Sequence, residues 1–109
     1  MKARDHWPAL VERGCILKDW SREACEGRTT LHHAGGGSML ERGVLKGKGT
    51  KNSDWLVLPV CERHHQGQAG IHSVGVRTWE LLYGRQSDWL DLLAEELQID
   101  LWAKAREGR

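Results

Sequence analysis

The chain has 109 residues, of which 39% are hydrophobic and 28% charged, and its formal net charge is +1. This balance is ordinary for a single globular domain over residues 1–109, and it excludes a strong overall field for nucleic acid while leaving room for a local basic face. No apolar run reaches the roughly 18 residues of a transmembrane helix, and the first residues lack a signal-peptide hydrophobic region. We therefore expect no membrane association and a cytoplasmic location.

The first half of the chain predicts one helix and two strands. Residues 5–13 favour a short helix that ends at Gly14. The β-branched residues of 28–33 favour a short strand, and 54–61 is the most strand-like segment of the chain. The segment between them, 34–53, is rich in glycine and lysine and predicts a long basic loop.

The second half of the chain predicts helices. Residues 62–72 begin as a helix or turn that Gly67 and Gly70 break, and residues 76–84 favour a further helix. Residues 87–106 form the clearest helical pattern, because large apolar residues recur at near-helical spacing, with acidic residues early and basic residues late.

Cysteine and histidine residues supply candidate metal ligands. Three cysteines argue against a disulfide framework, since the number is odd. Cys61 and His64 have the spacing of half a zinc knuckle, and Cys15 and Cys25 could complete a closed structural zinc site. The alternative is that the cysteines are buried thiols that bind no metal.

The adjacent histidines indicate a second site. His65 would point away from His64 and could join His72 and one histidine of the "LHHAGGG" segment. Three protein ligands leave coordination positions for water and substrate, as in catalytic metal sites. The other histidine of that pair could then act as a general base, because imidazole titrates near neutral pH. The alternative is that such pairs are ordinary surface residues.

At these residues the chain resembles the HNH (ββα-metal) nucleases, and among them the phage recombination enhancement function nucleases and their small prophage relatives. The resemblance is carried by GCIL (14–17), LHHAGGG (31–37), SDWLVLPVCERHHQGQAGIH (53–72) and WELL (79–82). It covers about residues 5–105 and implies a phage-derived protein in a bacterial host cell. The implied fold is α+β, with a small ββα-metal core at about 15–75, an N-terminal helix, and C-terminal helices at about 76–106.

The resemblance also implies roles for individual residues. A divalent metal, which could be Zn, Mg, Mn or Ni, would be held by His32, His65 and His72. His33 would activate water, and the asparagine that braces the loop presenting the base in HNH enzymes corresponds most nearly to Asp54, with Asn52 as the alternative. Many HNH proteins open their zinc site with Cys-x-x-Cys, whereas Lys18 stands at that position; either Cys25 replaces the missing thiolate or the structural zinc is absent.

These features predict a metal-dependent DNA endonuclease that hydrolyses phosphodiester bonds in recombination or DNA processing. Contacts to DNA phosphates are expected from basic residues near the glycine-rich loop and the histidines, namely Arg28, Arg42, Lys46, Lys48, Lys51 and Arg63. The alternative is a non-catalytic, zinc-stabilised DNA-binding or adaptor module. The family would add a recombinase filament as a partner, and the pattern leaves monomer and homodimer open.

Overall fold

The computed structural model describes residues 1–20, 24–44 and 53–107. These residues form a short 3₁₀ helix (Ala3–His6), α1 (Trp7–Arg13), β1 (Thr29–His33), α2 (Ser38–Glu41), β2 (Val57–Cys61), α3 (Glu62–His65), α4 (Ile71–Val74), α5 (Val76–Tyr83), α6 (Gln86–Leu97) and α7 (Leu101–Glu107). The predicted α+β class is confirmed at this level, with two strands and several helices. None of the described helices is long and apolar enough to cross a membrane.

The two strands pair antiparallel and carry both histidine segments. His33 lies opposite Val57, and Thr29 lies opposite Cys61, after which the chain turns directly into α3. Every residue of β2 is buried, so this strand runs through the core. Successive side chains of a strand point to opposite faces. In β1 this alternation leaves His32 buried and the next residue, His33, partly exposed.

The second strand begins later than the predicted segment 54–61. The first three residues of the predicted segment form a turn instead, because the backbone N–H of Leu56 donates to the carbonyl of Ser53 at 3.0 Å. The Ser53 hydroxyl also accepts a hydrogen bond from the N–H of Trp55 at 3.1 Å. Local side-chain bonds of this kind compete with strand pairing. The turn keeps Asp54 out of the sheet.

The predicted loop over 34–53 contains a helix, α2, so this part of the prediction is wrong. Glu80 holds the start of α2 by accepting hydrogen bonds from the backbone N–H of Ser38 at 3.0 Å and from its hydroxyl at 2.6 Å. The preceding Gly37 has a φ of 47°, and a Cβ there would lie 2.3 Å from Glu80. Residues 45–52 lie outside the described residues.

The predicted helix over 87–106 is divided into α6 and α7. Gln98 adopts the left-handed conformation with a φ of 57°, which ends α6. The next helix, α7, begins after Asp100, whose carboxylate accepts a hydrogen bond from the backbone N–H of Ala103 at 3.0 Å. A capping aspartate inside an apolar pattern is a helix-start signal, and the periodic pattern concealed it.

The buried side chains of the N-terminal part, the sheet and the C-terminal helices form one cluster, which includes Leu10, Leu58, Trp79, Leu90 and Trp102. Trp79 of α5 is 1% exposed, and its indole N–H donates to the carbonyl of His64 at 3.1 Å. This hydrogen bond from Trp79 therefore attaches α5 directly to α3.

His6 is a buried histidine outside both predicted sites, and it should make stability depend on pH. It is 3% exposed and stacks on Trp55 with ring centroids 5.2 Å apart, and its Nε2 has no hydrogen-bond partner among the described residues. Burial lowers the pKa of His6. The unfolded chain therefore binds this proton more readily, and stability falls as pH drops through the ordinary histidine pKa toward the lowered folded value.

The variant His6→Phe should flatten that dependence. Denaturant unfolding at about pH 7.5 and about pH 5.5 should show a slope smaller than in the wild type by up to about 1.4 kcal/mol per pH unit, the value for one proton. Other titrating groups are the same in both proteins and cancel in the difference. An unchanged slope would mean that His6 is protonated equally in both states.

Candidate metal centres

Three cysteines and one histidine converge at the junction of β2 and α3. This cysteine cluster consists of Cys15, Cys25, Cys61 and His64, whose ligand atoms all lie within 4.8 Å of one another. The Nδ1 atom of His64 lies 3.9, 3.8 and 3.1 Å from the three sulfur atoms, in chain order. A tetrahedral zinc ion with ordinary bond lengths separates such atoms by roughly 3.6 Å. These side chains could therefore hold a metal ion.

Backbone hydrogen bonds bring the distant parts of the cysteine cluster together. The N–H of Ile16 donates to the carbonyl of Pro59 at 2.7 Å, which ties the Cys15 segment to β2. The N–H of Arg63 in α3 donates to the carbonyl of Glu26 at 3.2 Å, next to the second cysteine. The four side chains are thus fixed by the fold and do not depend on a single flexible loop.

The charge balance of the cysteine cluster favours a cation. Burial, followed by the proximity of Cys15, raises the pKa of the Cys25 thiol to about 12. Burial also raises the pKa of Cys15, whereas backbone hydrogen bonds from His64 and Glu26 outweigh burial and lower the pKa of Cys61. Neighbouring thiolates repel one another, and a divalent ion among them reverses this effect by stabilising the deprotonated sulfur. The residues present therefore fit a structural zinc ion.

Three histidines form a second group. This histidine cluster consists of His32, His65 and His72, whose ligand atoms also lie within 4.8 Å of one another. The Nε2 atoms of His65 and His72 are 3.0 Å apart, and the His32 ring centroid lies 5.2 and 5.3 Å from theirs. His32 and His65 are buried whereas His72 is exposed, so the cluster reaches the surface on one side. Three imidazoles suit zinc and its neighbours in the first transition row.

The buried histidines of this cluster are in the form that binds metal. Burial, opposed only in part by the hydrogen bond that His32 donates to Gln86, lowers the pKa of His32 to about 4. Burial and the nearby His72 lower the pKa of His65 to about 4. Both rings are therefore neutral at physiological pH and carry a free lone pair, which a metal ligand requires.

Thr30 decides which nitrogen of His65 faces the cluster. The Thr30 hydroxyl donates its proton to the carbonyl of Val60 at 2.7 Å. It can then only accept from the Nδ1 atom of His65, which lies 2.8 Å away. Nδ1 therefore carries the ring proton, and the lone pair of Nε2 points toward His72. An outer partner of this kind orients most metal-binding histidines.

His33, which follows His32 of the histidine cluster in sequence, forms a hydrogen-bonded pair with Asp54. The Nε2 atom of His33 lies 2.7 Å from a carboxylate oxygen of Asp54. Asp54 is held in turn by Arg4 at 3.2 Å and, through its backbone carbonyl, by the indole N–H of Trp7 at 2.9 Å. The hydrogen bonds from His33 and Arg4 lower the pKa of Asp54. The carboxylate thus accepts a hydrogen bond from the Nε2–H of His33, which leaves the lone pair of Nδ1 to take up a proton.

The predicted DNA contacts divide into three sets. Arg28 and Arg63 border a cleft of about 780 Å³. Thr30 and His65, the latter a member of the histidine cluster, also line it. Arg28 is paired with Glu62 at 3.4 Å, with its side chain 88% exposed. Arg42 is engaged elsewhere, since it pairs with Asp91 at 3.2 Å and lies 4.0 Å above the Trp102 ring. The predicted DNA contacts Lys46, Lys48 and Lys51 lie outside the described residues, as does Asn52, the alternative to Asp54.

Sequence reasoning missed the partners of the ligand rings, Thr30 and Gln86. Both are ordinary polar residues without a recognisable motif, and Gln86 stands 54 positions after the histidine that it contacts. A residue of this kind is found only once the tertiary contacts are known. The family resemblance, in contrast, had pointed to both His33 and Asp54, which are hydrogen-bonded, whereas the alternative Asn52 lies outside the described residues.

Comparison of the chain with models of protein families, with curated proteins and with solved structures gives no match. The relation to HNH nucleases is therefore an inference from the quoted motifs. The two ligand clusters and the His33–Asp54 pair are the features from which function can be argued.

Proposed function

We propose that the protein is a metal-dependent DNA endonuclease of the HNH type, in which β1, β2 and α3 make up the ββα-metal core. One observation carries this proposal. Two neighbouring residues of β1 have different surroundings, since His32 joins the histidine cluster and His33 is hydrogen-bonded to Asp54. Three metal ligands, together with an oriented imidazole on the residue that follows one of them, are suited to phosphodiester hydrolysis.

The chain's own residues account for the proton transfer. Nδ1 of His33 takes a proton from a water molecule as the water oxygen bonds to phosphorus. Asp54 accepts the hydrogen bond from Nε2 and stabilises the imidazolium that forms, because its carboxylate lies 2.7 Å away. The bond from phosphorus to the 3′ oxygen breaks, and the leaving oxygen takes a proton from solvent. The products are 5′-phosphate and 3′-hydroxyl ends.

The histidine cluster supplies the electrostatic part of the reaction. A divalent ion held by His32, His65 and His72 would stabilise the negative charge that develops on the phosphate and the leaving oxygen. The exposed His72 leaves one side of the cluster open to solvent, as a substrate would need. The cysteine cluster has four protein ligands and suits a structural ion instead.

The DNA backbone would bind in the cleft beside His65. Arg28 and Arg63 lie at its border and could exchange their partners, Glu62 and Glu26, for phosphate oxygens. Contacts of this kind carry no base information. We therefore expect cleavage that tolerates many sequences.

The proposal is tested by incubating the purified protein with plasmid and with single-stranded DNA. The reactions contain Mg²⁺, Mn²⁺, Co²⁺, Ni²⁺ or Zn²⁺, with a chelator control. Cleavage is expected with at least one ion, and DNA ligase should reseal the nicks because they carry 5′-phosphate and 3′-hydroxyl ends. The variant His72→Ala is the matched control, since it removes an exposed ligand of the histidine cluster and leaves the cysteine cluster intact.

If the DNA stays intact with every ion although the protein is folded and metal-loaded, the proposal that the protein is an endonuclease is rejected. That result would leave the zinc-stabilised DNA-binding or adaptor module as the function. In that case His72→Ala and the wild type should bind DNA equally well, because no catalytic ion would be involved.

A further inference from the structure

Gln86, the first residue of α6, is completely buried and contacts a ligand of the histidine cluster. Its side-chain oxygen Oε1 lies 3.0 Å from Nε2 of His32. Its side-chain nitrogen lies 2.9 Å from the carbonyl oxygen of Gly35 and 3.3 Å from a carboxylate oxygen of Glu80. The amide therefore has hydrogen-bond partners at both ends, within a site from which solvent is excluded.

These partners fix the orientation of the amide. A carbonyl and a carboxylate can only accept hydrogen bonds, so the end of Gln86 that faces Gly35 and Glu80 must be the NH₂ group. The other end is then the oxygen, which also accepts from the backbone N–H of Gly35 at 3.3 Å. Because an amide oxygen cannot donate, the Nε2 atom of His32 must carry the ring proton. The lone pair of His32 is therefore on Nδ1.

Glu80 in turn holds Gln86. Its carboxylate accepts hydrogen bonds from the backbone N–H of Gln86 at 2.9 Å and from the backbone and hydroxyl of Ser38. Burial alone would raise the pKa of Glu80, but the hydrogen bonds from Ser38 and Gln86 lower it, so the group is a charged acceptor. Because Gly37 has no Cβ, the backbone at the start of α2 can lie close to this carboxylate.

We propose that Glu80 and Gln86 are positioning residues that select Nδ1 of His32 as the metal-binding atom and thereby set the affinity of the histidine cluster. The two buried ligands would then bind through different nitrogens, Nδ1 in His32 and Nε2 in His65, each dictated by its own hydrogen-bond partner. The inference rests on the histidine cluster being the metal centre of the proposed function. It places part of the control of that centre in the C-terminal helices.

The first test is the ring state of His32 in the wild-type protein. Long-range ¹H–¹⁵N NMR spectra of histidine-labelled protein distinguish the two nitrogens with and without added Zn²⁺. The proton is expected on Nε2 of His32 throughout, and the Nδ1 signal should shift when Zn²⁺ binds the histidine cluster. Zn²⁺ coordination at Nε2, seen as loss of the proton there, or a proton on Nδ1 would overturn the proposal without any variant being made.

The second test is the affinity for Zn²⁺ of the variant Gln86→Met, which keeps the length of the side chain but removes its polar atoms. Competition with a chelating dye should show the weaker of two Zn²⁺ sites reduced by about 10- to 100-fold, the usual effect of losing an outer partner. The tighter site, assigned to the cysteine cluster, should be unchanged. Gln98→Met, the same change at an exposed helix end, is the control and should bind as the wild type does.

Unchanged affinity of the weaker site in a folded Gln86→Met protein would reject the role of Gln86. Because both readouts are made without DNA, they are independent of cleavage. Failure of the nuclease assay together with the expected NMR and affinity results would reject the enzyme and retain the positioning role. The opposite combination would retain the enzyme and reject the positioning role.

Discussion

Replacing His33 with alanine should reduce DNA cleavage by about 10²- to 10⁴-fold, the usual contribution of a general base. The variant should keep its fold, because the His33 ring is partly exposed and contacts mainly Asp54 and the edge of Trp7. It should also keep both metal ions, since His33 belongs to neither cluster. Cleavage rates, circular dichroism and metal content measured by mass spectrometry check these three statements.

The companion variant Asp54→Asn separates orientation from proton transfer. It keeps an oxygen near Nε2 of His33 but removes the negative charge that stabilises the imidazolium. Its cleavage rate should lie between those of the wild type and His33→Ala. If His33→Ala instead loses the metal of the histidine cluster, His33 is a ligand and its role must be exchanged with that of His32. Full cleavage by His33→Ala would mean that another group activates the water.

Replacing Cys61 with serine should abolish the structural metal site and unfold the protein or leave it strongly destabilised. Structural zinc contributes about 10–16 kcal/mol of binding free energy in zinc-finger peptides, which is as large as the whole stability of many domains. The Cys61 sulfur is 3.1 Å from His64 at the end of the fully buried strand β2. Thermal unfolding followed by circular dichroism, together with zinc content, gives the measurement.

The loss at Cys61 should also reach the histidine cluster, because His64 and His65 are adjacent in α3. The control is His72→Ala, which removes an exposed ligand from the other cluster and should leave zinc content in the cysteine cluster and the melting temperature nearly unchanged. A Cys61→Ser protein that melts as the wild type does, with the same zinc content, would show that Cys61 is not a metal ligand.

Residue type and spacing predicted the cysteine cluster and grouped His65 and His72 with one histidine of the His32–His33 pair. The choice of His32 came from the family resemblance. Cys61 and His64 follow a strand that the alternation of apolar residues makes evident, and His65 comes directly after them. Cys25 was placed with them without a local motif, and the structure brings its sulfur to 3.8 Å from His64. Only the placement of Cys61, His64 and His65 is therefore a local property of this sequence, because tertiary contacts bring in the other ligands.

The parts that were missed depend on contacts between distant residues. The start of α2 is held by Glu80, which lies 42 positions after Ser38. The orientation of His32 depends on Gln86, and nothing in the glycine-rich segment or in the helical pattern points to either contact. Asp100 shows a different kind of error, because its capping signal was present but the apolar periodicity outweighed it.

The single turn α3 belongs to both clusters, with His64 directed to one and His65 to the other. Consecutive residues of an α-helix are rotated by about 100° from each other, which separates the two directions without any intervening residue. An insertion or deletion of one residue in this turn would rotate one histidine out of its cluster while the other stayed in place. The number of residues in α3 is therefore constrained more strictly than the identity of its exposed residues. Homologous chains should vary in sequence around α3 but should keep the number of residues in α3.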